Sequence, residues 1–191
     1  MSDYISPMVI EKHPENVALI DVFSKLMMSN IIFLGAEINA YVANIIIGQL
    51  LYLDDKEEVD EIVMYINSPG GDVISGFAIY DTMQHIKTKI KTVAIGQASS
   101  MASILLAAGD VRVALPHAEI LIHQPRGGME GKAEDIEVTS KLFKKYYVDS
   151  AKVIAKHTKQ PYKKVYKDMG TEYYMDAQKA LEYGIIDAIV E

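Results

Sequence analysis

The chain has 191 residues, of which 50% are hydrophobic and 24% charged, and its net charge at pH 7 is −7. That is the make-up of one globular domain, able to bury roughly 70% of its unfolded surface around a single core, and not of a disordered, collagenous or membrane chain. The acidic balance and the lack of a long basic run speak against nucleic acid as a partner, and the absence of cysteine excludes disulfides and thiolate metal sites.

The opening residues, Met1 to Pro7, carry neither the basic stretch nor the apolar run of a secretory signal, and no segment reaches membrane-spanning length. A cytoplasmic protein without a membrane anchor is expected. Short β-branched runs then alternate with longer amphipathic ones: a strand over Ile31 to Leu34, a helix over Ala40 to Leu53, a strand over Glu61 to Asn67 and a helix over Val73 to Ile86. This alternation predicts βα units and a largely parallel sheet. A strand near Thr92 to Gly96, a helix over Ser100 to Ala108, and strands over Val111 to Ala114 and Glu119 to His123 continue it. From Lys132 to His157 the apolar residues Ile136, Phe143, Tyr146, Tyr147 and Ile154 recur at helical spacings. A helix of roughly 25 residues would run nearly 40 Å, comparable with the diameter of the domain, so part of it is expected to project toward another subunit. Asp176 should cap a helix ending before a left-handed Gly184, and Ile185 to Val190 reads as a final strand.

Three places could carry chemistry. In Gly96-Gln97-Ala98-Ser99-Ser100-Met101-Ala102 a strand runs directly into an apolar helix, placing a serine at a helix N-terminus where developing negative charge is favoured. Local pattern alone favours a plain capping role for Ser99 or Ser100. Asn67-Ser68-Pro69-Gly70-Gly71-Asp72 puts two glycines at a tight strand-to-helix junction, where backbone N–H groups can face a reacting oxygen; steric need at an ordinary turn is the commoner reason for such a pair. His123 closes a strand and is followed by Gln124-Pro125, and strand ends are where sites collect in α/β folds. His13, His85, His117 and His157 are expected in loops or on helix surfaces, with no ligand spacing that would suggest a metal.

Taken together, Tyr65-Ile66-Asn67-Ser68-Pro69-Gly70-Gly71, Ile79-Tyr80-Asp81-Thr82-Met83-Gln84, Gly96 to Met101, Ile122-His123-Gln124-Pro125 and Ala180-Leu181-Glu182-Tyr183-Gly184 resemble the proteolytic subunit of the Clp family, in the family's order and spacing. The likeness runs from about Pro7 to Val190. It implies an α/β, crotonase-like fold of repeated ββα units with a projecting handle helix, in one peptidase domain. Residues 1–20 would form an axial-pore segment, 21–125 the head, 126–170 the handle region and 171–191 a return to the head. The resemblance further implies a serine endopeptidase with Ser100 as nucleophile, His123 as base, Glu172 as third member, and the N–H groups of Gly71 and Met101 as oxyanion hole. Heptameric rings stacked as a tetradecamer would enclose these sites. Unfolded polypeptide would be supplied by an AAA+ unfoldase of the ClpX, ClpA or ClpC type; ATP would be used by that partner, and this chain would need no cofactor.

Several positions depart from the family pattern. Glu172 stands where the family usually has aspartate; the carboxylate is kept, but an extra methylene shifts it by about an ångström or more unless the backbone compensates. Asp168 lies close in sequence, yet the family spacing from His123 selects Glu172. Gly170 and Thr171 replace an acid and an arginine that commonly pair between rings. Glu15-Asn16-Val17-Ala18 replaces a charged pore segment, and Val63 and His85 replace residues often aromatic at the unfoldase dock, where Tyr65 is retained. These departures suggest a specialised paralogue working beside a second Clp proteolytic subunit.

Two other classes remain in view. A weakly active or non-catalytic structural subunit of a mixed barrel would explain Glu172 and the altered interfaces, although it would not need Ser100 and His123. An acyl-CoA enzyme of the crotonase type would share the architecture and the glycine-built oxyanion hole but would lack a serine nucleophile.

Overall fold

A computed structural model describes residues 7–12, 17–128 and 130–190, with the backbone alone for residues 11 and 12. The expectation for the pore segment falls partly on Glu15 and Asn16, and that for His13 wholly, outside the described residues. Strands β1 (Met8–Lys12) and β2 (Val17–Asp21) form an antiparallel hairpin with Ile10 opposite Leu19. The Asp21 carboxylate then caps α1 (Val22–Met27), accepting from the N–H of Phe23 and of Ser24.

The centre of the molecule is a seven-stranded sheet whose path is β3 (Ile31–Leu34), β4 (Glu61–Ser68), β5 (Lys89–Ser99), β6 (Val111–Ala114) and β9 (Ala188–Ile189). All neighbours on this path are parallel, because α2 (Ala40–Asp54), α3 (Val73–His85) and α4 (Met101–Ala107) carry the chain back between successive strands. One row crosses the whole sheet, Leu34–Ile66–Ala94–Ala114–Ile189, and its first four members are fully buried. Asn39 and Asp72 set the starts of α2 and α3, their side chains accepting from Val42 N–H at 2.9 Å and Ser75 N–H at 2.8 Å.

A second, shorter ladder grows from the far ends of the long strands. Beyond a register shift at Asn67, Ser68 pairs with Ala98, Ala98 with Ile120 of β7 (Glu119–Ile122), and Ile120 with Met175 of β8 (Tyr173–Met175). Each unit therefore gives one stretch of strand to the main ladder and a continuation to the second before its helix begins, which is the ββα repeat of the expected crotonase-like fold. The functional residues sit along this second ladder.

Helix α5 (Ala133–Thr158) has 26 residues, about 39 Å at 1.5 Å per residue. Its buried positions, Ser150, Ala151, Ile154 and Thr158, all lie in the C-terminal third, whereas Ile136, Val138 and Leu142 are exposed. The projecting helix expected from the sequence is present, and only its end is tied to the core. Among the described residues no helix is long and apolar enough to cross a membrane.

Five elements were not anticipated: β1 and β2 of the hairpin, α1, α6 (Tyr162–Asp168) and β8. All are short, and periodicity cannot register in three to seven residues. The final strand is shorter than expected. Ile185 and Ile186 are buried but unpaired, because Arg112 binds both oxygens of Asp187, at 3.0 Å and 2.5 Å, and also the Gly184 carbonyl, drawing this segment into a turn ahead of β9 (Ala188–Ile189). Nor is His157 a surface residue. It is half-buried at the end of α5, with Nε2 3.1 Å from the Tyr80 hydroxyl.

Candidate active site

β5 passes into α4 through a single residue. Ser100 makes the turn with φ 56° and ψ −124°, a conformation an L-residue adopts only when its surroundings enforce it. The enforcing contacts are visible: its N–H donates to the Leu121 carbonyl at 2.8 Å, and its carbonyl accepts from the Ser103 N–H at 3.0 Å and the Ser103 hydroxyl at 2.6 Å. The Ser100 side chain makes no capping bond. The local capping role therefore does not apply, and the hydroxyl is left presented at a sharp strand-to-helix turn, as an activated nucleophile requires.

The glycine loop is packed against this turn. Gly70 has φ 87°, and a Cβ on it would lie 2.5 Å from the Ser99 carbonyl oxygen, 2.7 Å from Ser100 Cβ and 2.9 Å from the Met101 nitrogen, so only glycine fits. Next to it Gly71, at φ 148°, meets Ile38 in a one-residue parallel bridge. That bridge uses the Gly70 carbonyl, which accepts from Ile38 N–H at 2.7 Å, and the Asp72 N–H, which donates to the Ile38 carbonyl at 2.8 Å, leaving the Gly71 N–H outside it. The Met101 N–H belongs to the first turn of α4, whose donors have no intrahelical partner. Two backbone donors thus flank Ser100, the arrangement an oxyanion hole needs.

His123 follows directly on β7, and β7 lies parallel to β5 with Ser99 opposite Leu121. The register alone brings the histidine to the side of Ser100. On its other edge β7 pairs antiparallel with β8, Ile122 opposite Tyr173, so the next step along both strands sets His123 against Glu172. Gln124 secures this junction, its N–H donating to the Met169 carbonyl at 2.7 Å and its side-chain amide to the Gly170 carbonyl at 3.0 Å. The side chains do not follow the backbone pairing. Glu172 is ion-paired to Arg126, and His123 Nδ1 is buried with no hydrogen-bond partner. Burial holds the His123 imidazole below its ordinary pKa; the nearby Arg126 charge pushes in the same direction and Glu172 against it. Asp168, the other carboxylate near in sequence, accepts from the Tyr183 hydroxyl at 2.9 Å and pairs with Lys164 at 2.9 Å.

Ser100 and His123 line a cleft of about 610 Å³, walled on one side by Gly70 and Gly71 and on the other by Leu142, Phe143 and Tyr146 of α5. Met101 lines a smaller, more enclosed pocket that shares Ser100 and His123 with the cleft, and Glu172 lies in another with His123, Arg126 and Gly170. The structure thus gathers Ser100, His123 and Gly71 around one cleft, sets Met101 in a small pocket that shares Ser100 and His123, and places Glu172 in another beside it, turned to a different partner. Arg126 is the residue sequence reasoning passed over. Its only sequence signal was a cation three positions beyond the histidine, in a loop where nothing else marks a site.

A serine on a strained turn, an imidazole at the neighbouring strand end and backbone N–H groups beside them make up the constellation that serine hydrolases use. The model of the family described as Clp protease matches residues 14–191. The ATP-dependent Clp protease proteolytic subunit of Porphyromonas gingivalis is 49% identical over 192 residues, covering 100% of this chain and 86% of the relative. Those of Bacteroides fragilis and Bacteroides thetaiotaomicron are 47% and 46% identical over 189 residues, each covering 98% of this chain and 91% and 86% of the relatives. The chain belongs to the Clp protease family of serine peptidases.

Proposed function

We propose that Ser100 is the nucleophile and His123 the base of a peptide-cleaving site in which Glu172 orients the imidazole and the N–H groups of Gly71 and Met101 hold the oxyanion. The observation that carries this reading is the Ser100 turn, a strained backbone whose hydroxyl makes no structural bond. Nε2 of His123 takes the Ser100 proton as Oγ attacks the scissile carbonyl, the oxyanion is stabilised by the two N–H groups, and the proton passes to the leaving amine. Water then repeats the sequence on the acyl-enzyme, returning the serine. A base in contact with the hydroxyl supplies about 10²- to 10⁴-fold and one oxyanion donor about 10²- to 10³-fold. Side chains and backbone suffice for this chemistry, so no cofactor is assigned to the chain.

The assembly belongs to the same proposal. The relatives are named as subunits of an ATP-dependent protease, which supports a cytoplasmic partner unfoldase as the site of ATP use and unfolded polypeptide as substrate. The free outer part of α5, with Ile136, Val138 and Leu142 exposed, supports packing against another subunit in stacked heptameric rings. The unpartnered Nδ1 of His123 favours a second arrangement as well, in which the isolated chain rests with its carboxylate disengaged and a second Clp paralogue completes mixed rings. Sedimentation of the purified chain combined with hydrolysis of a fluorogenic peptide tests both. Ser100-dependent cleavage by a two-ring particle, with Glu172→Asp still active, is the outcome expected for self-sufficient rings. A smaller, inactive particle would point to the mixed assembly.

A further inference from the structure

We propose that Arg126 selects acidic peptides and couples their binding to catalysis: in the empty site its guanidinium holds Glu172 off His123, and an acidic side chain of the substrate takes over the guanidinium and frees Glu172 to orient the imidazole. The inference rests on the triad reading above.

Among the described residues, Arg126 is the one besides His123 and Pro125 that lines both the substrate cleft and the pocket containing Glu172. The strand register sets Glu172 opposite His123, yet its carboxylate is drawn to Arg126 and the buried His123 Nδ1 is left without an acceptor. A buried polar atom without a partner is unfavourable, so the arrangement is held by the ion pair and not by any preference of the histidine. That pair is itself weak, since the Arg126 and Glu172 side chains are 65% and 41% exposed, and solvent screens such contacts strongly. A bound carboxylate, partly shielded by the peptide, competes on favourable terms, and the guanidinium fork accepts it in two-point geometry.

The placement of charge in the cleft is local. Its two carboxylates are Glu37 and Asp72, and Asp72 accepts from the Ser75 N–H at 2.8 Å and hydroxyl at 2.6 Å. Among the described residues Arg126 is the only Lys or Arg lining the cleft, on the His123 side of the reacting centre. An acidic side chain bound there meets a cation, and a basic one meets repulsion.

The test is steady-state hydrolysis by the full chain of three fluorogenic peptides that differ only in a Glu, Gln or Lys beside the scissile bond. The wild type should turn over the Glu peptide with kcat roughly two- to fivefold above the Gln peptide, the range an exposed ion pair can supply. In Arg126→Leu the Glu advantage should vanish while kcat on the Gln peptide rises by a similar factor, because Glu172 is no longer held away. A purely structural ion pair would change all three peptides alike. Equal wild-type kcat for the Glu and Gln peptides, or a Glu advantage confined to KM, overturns the proposal without recourse to any variant. Labelling of Ser100 by a fluorophosphonate separates the failures: labelling with charge-blind kcat defeats the Arg126 inference alone, and absence of both labelling and Ser100-dependent hydrolysis in a two-ring particle defeats the triad reading with it.

Discussion

The two ends of the site are built differently. At the Ser100 end, the Ser100 turn, the Gly70–Gly71 loop and the first N–H of α4 are backbone features locked together by ladder bonds and by contacts that leave no room for a Cβ. The carboxylate end depends on long side chains: Glu172 and Arg126 are both substantially exposed, and the only rigid parts are the β7–β8 register and the Gln124 bonds. Backbone geometry preorganises charge stabilisation at no reorganisation cost during reaction, whereas an exposed ion pair can change partners for about 1 kcal/mol or less. The proposed oxyanion hole is therefore fixed by backbone, while the orientation of the proposed base is left adjustable.

The largest effect should come from removing the proposed nucleophile. Ser100→Ala should lower peptide hydrolysis by on the order of 10⁴- to 10⁶-fold with unchanged thermal stability, since its hydroxyl makes no structural bond. A change at the rigid end should damage both properties. Gly70→Ala places a methyl group 2.7 Å from Ser100 Cβ at a left-handed φ, and is expected to cost about 1–3 kcal/mol of stability, measured by denaturant titration, with roughly 10²-fold lower kcat. An active, stable Gly70→Ala protein would show that this end is not rigid.

His157 tests stability away from the site. Burial, with Lys156 and Arg112 next in size, holds its pKa at about 4, below the ordinary 6.5. Between those values the unfolded chain binds the extra proton, so stability should be full above about pH 6.5 and fall as pH drops toward 4. The loss should be about 1–2 kcal/mol once solvent screening of a half-buried ring is allowed for. His157→Gln should flatten that part of a Tm-against-pH curve while leaving hydrolysis intact.

The smallest and most diagnostic effect concerns the adjustable end. Because burial and Arg126 both hold the His123 imidazole below its ordinary value, the acid limb of kcat/KM should lie below pH 6.5, the base staying neutral into mild acid. In Arg126→Leu one of those causes is gone, and the limb should move upward. A limb unmoved by that substitution would mean that the guanidinium does not act on the imidazole, and the contrast between the two ends would lose its electrostatic basis.

Much of the protein was legible in the order of its residues. The starts of α2, α3 and α7 follow from Asn39, Asp72 and Asp176, whose carboxylates or amide accept local N–H groups, and β3 and β6 coincide with their β-branched runs. Ser100, His123 and the glycine pair lie at strand ends, where sequence punctuation is strong and local. Short elements such as α6 and β8 left no periodic trace, and β9 was overestimated because an apolar run does not disclose that Arg112 will bend it.

By itself, then, the sequence determined the α/β alternation, the capping and turning points, and which residues could act as nucleophile, base and oxyanion donors, because those depend on contacts within a few positions along the chain. Only the tertiary structure decided that Ser100 is free of capping duty, that β7 stands between β5 and β8 so that the backbone sets His123 beside both Ser100 and Glu172, and that Arg126 intercepts the carboxylate. Those outcomes rest on register between strands and on which of two charged neighbours a flexible side chain meets first. Neither is a property of local sequence, since both are set by residues dozens of positions apart brought together by the packing of the core.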